Sequence, residues 1–246
     1  FKGLIGRFLK GGILEQSGEI TLPSLGTPQG GIMSPILANI YLNEAIDQWF
    51  IEHYASYNNI IIRYADDAVF LFKKKEIADA FLESLQARVG KFGLKLNLKK
   101  TRTVDFNRSK NNDFDFLGFT FYWGTKKKSG PRPLKLKTRK KSLHKKMQEF
   151  DDWIKTNRSR MKLGMLWKKS GVKLKGHYTY FGIWTNRPKL KHFYSEALRS
   201  LYKWLNRRSQ KHSYDWEGFM RRLENNPLPT PPHIRDLKCF GRKIYV

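Results

Sequence analysis

Apolar residues along this chain recur at helical spacing in some stretches and in short runs in others, and the alternation outlines its elements. After Ser34-Pro35, an N-cap followed by proline at the first helical position, Ile36, Leu37, Ile40, Tyr41 and Leu42 predict a helix to about Phe50. Two apolar runs, Ile60–Arg63 and Ala68–Phe72, flank the polar tip Tyr64-Ala65-Asp66-Asp67 and predict a hairpin. Ile77, Ala80, Phe81, Leu85 and Val89 predict an amphipathic helix over Glu76–Phe92, stopped by Gly93. Leu94–Val104 and Phe114–Trp123 read as further strands. The front is therefore α+β, strands and helices sharing one core. Lys, Gly and Pro collect over residues 126–137, marking a linker, and helical spacing follows over Thr138–Arg158, Lys162–Ile183, Pro188–Arg208 and, more briefly, Trp216–Glu224. The expected plan is a front domain over 1–125, the linker, a helical domain over 138–226, and a proline-containing tail over 227–246.

Charge changes this picture from one protein core to two functional parts. The formal net charge is +27, far more than solubility requires, and such an excess meets phosphate. Residues 1–125 hold 15 of the 48 Lys+Arg and 13 of the 21 Asp+Glu, so almost the whole positive field lies in the back half. The one cysteine, Cys239, excludes a disulfide framework and a Cys-pair zinc site. No apolar run approaches the ~20 residues needed to span a bilayer, and no signal-peptide pattern is present, so no membrane partner is expected and a cytoplasmic location is. The first residue is Phe1, not Met, which reads as a fragment or processed product.

The candidate chemistry sits at the hairpin tip. Asp-Asp at a turn is ordinary turn chemistry, but here strongly apolar strands would present two adjacent carboxylates. Such carboxylates repel, and a hard divalent cation relieves the repulsion. Magnesium takes one or two carboxylates plus phosphates and water, and a pair of such ions stabilises both oxygens of an in-line phosphoryl displacement.

Gly26-Thr-Pro-Gln-Gly-Gly31 with Ser34-Pro35, then Tyr64-Ala-Asp-Asp67, resembles motifs B and C of reverse transcriptases. Phe92–Thr101 resembles motif D, and Phe116-Leu-Gly-Phe119 resembles motif E, in the family's order. Leu174–Gly182, Phe193–Gln210 and Trp216–Phe219 resemble the maturase-specific domain of group II intron proteins. The resemblance implies a partial right-hand polymerase palm followed by an all-α helical thumb/maturase domain. It also implies RNA-directed DNA polymerase and intron-splicing activity in the whole protein, with Mg²⁺ as cofactor and group II intron RNA, an RNA template, a DNA primer and dNTP as partners.

By position, Asp66 and Asp67 would hold the metal, Tyr64, Ala65 and Gln29 would lie against the incoming nucleotide, and Lys100 would aid departure of pyrophosphate. Leu117 and Gly118 would position the primer. Arg139, Lys140, Lys141, Arg207 and Arg208 are the expected RNA contacts. Phe193, Ala197, Leu201 and Trp204 are read as the inner face of a helical bundle, and His177 as a satisfied structural histidine. The sequence departs from the family in one way: Phe1–Ile20 contains no Asp, so motif A and the fingers are absent, and this chain alone is expected not to polymerise. The alternatives are a non-catalytic RNA-binding splicing factor that keeps the polymerase scaffold, or a domesticated reverse transcriptase of a defence or diversity-generating system. The sequence leaves the oligomeric state open.

Overall fold

The computed structural model describes residues 33–55, 58–125, 130–208 and 214–233, with short pieces at 3, 5–7, 12–14, 17–21 and 31. The chain forms two compact units, Phe1–Asp105 and Phe106–Val246. The boundary therefore falls about twenty residues before the expected end of the front domain at 125. The reason is hydrogen bonding: the strands before and after the expected linker belong to one sheet.

In the first unit, β1 (Ile13–Leu14) pairs antiparallel with β2 (Ile20–Thr21). Helix α1 (Ser34–Leu42) starts at Ser34 itself, with Met33 as N-cap, one residue earlier than expected. It passes through a π-helical stretch, Asn43–Gln48, into α2 (Trp49–Tyr54). The hairpin forms as expected from β3 (Ile60–Tyr64) and β4 (Asp67–Leu71). Helix α3 (Lys75–Lys91) follows and ends at Phe92, with Gly93 at φ +67. Ala45, Ile46, Phe50, Phe81, Leu85 and Val89 form the core of this unit. The Phe81 ring lies 4.6 Å from that of Phe70 on β4 and 4.9 Å from Phe72, so the helix is fastened to the hairpin by aromatic contact. The expected strand over Leu94–Val104 is absent: this stretch has no regular structure apart from a turn at 98–100. Leu94 and Leu96 pack on the core, but the backbone beside them finds no partner strand, and apolar alternation without pairing does not make a sheet.

In the second unit β5 (Asp113–Phe116), β6 (Phe119–Trp123) and β7 (Leu134–Thr138) form an antiparallel sheet in that order. β7 lies inside the expected linker, which is corrected accordingly. Its Leu-Lys-Leu-Lys pattern places Lys135 and Lys137 opposite Tyr122 and Thr120, with Lys137 Nζ 4.6 Å from the Tyr122 ring. Three long helices follow, α4 (Lys140–Asn157), α5 (Leu163–Phe181) and α6 (Arg187–Leu205), then a shorter α7 (Trp216–Asn225). Leu166, Leu174, Leu190, Leu201 and Phe219 are completely buried among them, and the expected inner-face residues Phe193, Ala197, Leu201 and Trp204 are all buried. Asn186, fully buried, joins sheet to helices: Oδ1 accepts from Thr138 N at 2.6 Å, and Nδ2 donates to Thr138 Oγ1 and Phe181 O. The second unit is thus not purely helical, and the chain is α+β throughout. Among the described residues no helix is long and apolar enough to cross a membrane.

Candidate functional site

The tip of the β3–β4 hairpin is a two-residue turn. Tyr64 pairs with Asp67, leaving Ala65 and Asp66 as its central residues. Ala65 takes φ +52, a left-handed conformation that belongs to the primed turns and suits the right-handed twist of a hairpin. Tyr64, Ala65, Asp66 and Asp67 are all exposed, Tyr64 to 66%. The carboxylates therefore sit at solvent on a short, tight turn, available to a ligand.

This turn is held by a residue that sequence reading passed over. The Arg63 guanidinium meets both oxygens of Asp47, with Nε 2.8 Å from Oδ1 and Nη2 2.6 Å from Oδ2. The same side chain donates from Nη1 to Asn39 Oδ1 at 2.8 Å and to Ala65 O at 2.9 Å. Both partners of the ion pair are largely covered, at 10% and 20% side-chain exposure, and the hydrogen bonds to Asp47 raise the guanidinium pKa. One planar fork thus fixes the carbonyl of the turn against α1 and the π-helical stretch. The signal available in sequence was a charged residue at the end of an apolar strand, but its partner is sixteen residues away.

Two carboxylates fit part of a magnesium site, because that ion uses one or two protein carboxylates with phosphate and water completing its shell. Among the described residues no cluster of three or more acidic, histidine or cysteine side chains is arranged to hold a metal. Asp47, which the Arg63 fork links to this turn, is already committed to that guanidinium.

The other sequence-predicted residues are distributed as follows. Gln29 lies outside the described residues. Lys100 is exposed in a turn closed by Lys100 N and Thr101 N on Asn97 O, both at 2.9 Å. Leu117 and Gly118 occupy the tip of the β5–β6 hairpin, both with positive φ, +48 and +78, as a type I′ turn requires. That tip packs closely: Tyr180 Oη donates to Leu117 O at 3.1 Å, Arg139 N donates to Gly118 O at 2.9 Å, and the Phe181 ring faces Gly118. Asp66, Asp67 and Lys100 fall in the first unit, and Leu117 and Gly118 in the second.

The expected RNA contacts divide in the same concrete way. Lys140 and Lys141 are exposed at the start of α4. Arg139 is engaged with Asp115 at 2.9 Å, and Arg208 Nη2 donates to Met161 O at 2.8 Å. Arg207 is exposed, its guanidinium 5.5 Å from the Trp204 ring centre. His177 is buried and stacked on Phe193 at 3.8 Å, as a structural histidine would be, but its Nε2 has no hydrogen-bond partner, so it is not a satisfied one. Burial, with a smaller contribution from Lys146, pushes its pKa down to about 4.

A family model described as reverse transcriptase (RNA-dependent DNA polymerase) matches residues 2–121. Protein YkfC of Escherichia coli (strain K12) is 32% identical over 149 residues, which cover 48% of this chain and 38% of that protein. A putative COX1/OXI3 intron 1 protein of Saccharomyces cerevisiae is 29% identical over 102 residues, 42% of this chain and 11% of that protein. Group II intron-encoded protein LtrA of Lactococcus lactis subsp. cremoris is 51% identical over 49 residues, 20% of this chain and 8% of that protein. The chain thus matches well under half the length of each of these relatives. Residues 2–121, which include the two-carboxylate hairpin, are thus similar to the reverse transcriptase family, and intron-encoded proteins are among the relatives.

Proposed function

We propose that the protein of which this chain is part copies RNA into DNA by magnesium-dependent nucleotidyl transfer, and that its basic second unit grips the intron RNA whose splicing it assists. The observation that carries the polymerase reading is the hairpin tip: adjacent, solvent-facing Asp66 and Asp67 on a turn whose carbonyl is clamped by Arg63. When bound there, magnesium would supply neutralisation of phosphate charge at the attacking and leaving oxygens. Asp66 and Asp67 would hold the ion, and the Arg63–Asp47 pair would keep the turn in register beneath them. Tyr64 and Ala65 would border the nucleotide, Lys100 would face the departing pyrophosphate, and Leu117 and Gly118 would steady the primer. Two carboxylates are too few for a two-metal site, and among the described residues no third acidic group joins them, so extension is proposed to need a further acidic ligand.

Primer extension on an RNA template, titrated with Mg²⁺ and compared with the Asp66→Ala variant, tests this. Extension by the longer protein that Asp66→Ala removes supports the reading. Extension that survives Asp66→Ala refutes it. For the RNA grip, the supporting facts are the exposed Lys140, Lys141 and Arg207 and the concentration of positive charge in the back half. Preference for a folded group II intron RNA over an unrelated duplex of equal length, persisting as salt is raised, is the expected result. Equal binding that collapses with salt would reduce the grip to general phosphate attraction.

A further inference from the structure

The ends of α4 and α6 lie side by side. Arg158, just past α4, donates from Nε to the carbonyl of Arg207, just past α6, at 3.1 Å. Between them sits Trp204, 7% exposed, and four cations gather round its ring: Lys203 at 4.5 Å, Arg158 at 4.7 Å, Arg207 at 5.5 Å and Lys155 at 5.7 Å from the centroid. Since each lies within 5.7 Å of one point, no two of the four are more than about 11 Å apart, close to the distance over which salt screens charge. Arg208 joins the same end through Met161 O.

A purely structural role would have these cations neutralise their surroundings, and the charges decide against it. Each helix C-terminus carries about half a negative charge. Asp151 adds one more, accepting from Trp204 Nε1 at 2.8 Å and Ser200 Oγ at 2.7 Å, with Lys203 Nζ 3.7 Å away. About two negative charges therefore face five positive ones. Counting exposed Asp152 as well still leaves an excess of about two. Arg158 and Arg208 hydrogen-bond backbone carbonyls, and Lys203 has Asp151; among the described residues, Lys155 and Arg207 meet only the face of the indole. A site that concentrates unneutralised cations around one buried ring is charged for an anion that comes from outside.

We propose that the joined C-terminal ends of α4 and α6, centred on Trp204, bind two backbone phosphates of RNA, with Lys155 and Arg207 as the side chains free to engage them. This rests on the reading of the second unit as an RNA grip, and adds Lys155 to it while leaving Arg158, Lys203 and Arg208 to the structural roles their partners give them.

The test is the double substitution Lys155→Gln/Arg207→Gln in the full chain, with Lys73→Gln/Lys74→Gln in the first unit as a charge-matched control. Binding of a 20-nucleotide single-stranded RNA is measured across a salt series. Each lost phosphate contact lowers the slope of log K against log salt by about 0.7, so the double variant is expected to lose about 1.4 and the control much less. The same variant, free of RNA, is expected to melt close to the parent, because relief of repulsion offsets the two lost contacts with the Trp204 ring and no hydrogen bond is removed. An unchanged slope, a control that shifts it equally, or a melting temperature well below the parent's would each overturn the proposal. Primer extension is a separate readout, so the polymerase reading and this site stand or fall independently; a parent chain with no affinity for RNA would sink the grip and this site together.

Discussion

Arg63 and Asp47 form a two-pronged, largely covered ion pair that joins the end of strand β3 to the π-helical stretch behind it, and the same guanidinium holds the carbonyl of Ala65 in the turn that bears Asp66. Removing either member leaves the other charge largely covered without its counter-charge, which costs more than the pair contributes in isolation. Asp47→Asn is therefore expected to lower stability by about 2–3 kcal/mol in urea unfolding. Arg63→Lys keeps the charge but loses the fork and should fall nearly as far. In an active longer protein, both should reduce primer extension while leaving the affinity of the basic unit for RNA unchanged. Unaltered extension by Asp47→Asn would show that the clamp does not position the carboxylates.

Ala65 and Leu117 each occupy a left-handed backbone position at a hairpin tip, φ +52 and +48. An L-residue pays roughly 1–2 kcal/mol there, whereas glycine pays only its greater unfolded-state freedom, about 0.5–1 kcal/mol. Ala65→Gly is thus expected to raise stability by about 0.5–1 kcal/mol. Hydrogen exchange at the β3–β4 hairpin amides should slow correspondingly. Faster exchange there would show that the methyl group supports the turn.

The contrast between these features explains what sequence shows and what it hides. The β3–β4 hairpin was legible because two apolar runs bracket a polar tip, and α3 because Phe81, Leu85 and Val89 repeat at helical spacing; local pattern suffices for both. The inner face of α6 was legible for the same reason. The Arg63–Asp47 clamp was hidden because its members are sixteen residues apart and only folding brings them together. β7 was obscured by composition: Lys and Gly nearby suggested a linker, although Leu134-Lys-Leu-Lys137 alternates as a strand should. Leu94–Val104 failed in the opposite sense, since its alternation satisfied the core without any strand to pair with. The cations round Trp204 come from two helices and could not be grouped from spacing on either one.

His177 links stability to pH. Its folded pKa is about 4, against an ordinary value of 6.5, because burial against Phe193 disfavours the charged ring. Below 6.5 the unfolded chain takes up the proton first, so stability falls as pH drops from about 6.5 and the loss is complete near 4. At 1.36 kcal/mol per unit the full loss is about 3 kcal/mol. Urea unfolding at pH 7 and pH 4.5 should show most of it, and His177→Leu should flatten the dependence over this window. A variant that keeps the parent's slope would assign the effect to other groups.

Two glycines on α5 should answer oppositely to the same substitution. A β-carbon at Gly176 would meet nothing within 4 Å, so Gly176→Ala removes only the conformational cost of glycine in a helix and should stabilise by about 0.5–1 kcal/mol. At Gly171 the added carbon would lie 3.2 Å from Cδ and 3.6 Å from Cγ of Pro229. That proline cannot turn aside as a flexible side chain would, and its carbonyl is held by Tyr178 Oη at 3.1 Å. Overpacking of this kind typically costs about 1–3 kcal/mol, which outweighs the helix-propensity gain, so Gly171→Ala should be net destabilising. Thermal melting of the two variants beside the parent reads the signs directly. If both rise, the Pro227–Pro232 segment yields easily and contributes little to holding α5; if Gly171→Ala falls while Gly176→Ala rises, close contact between that segment and the helix is part of what keeps the second unit folded.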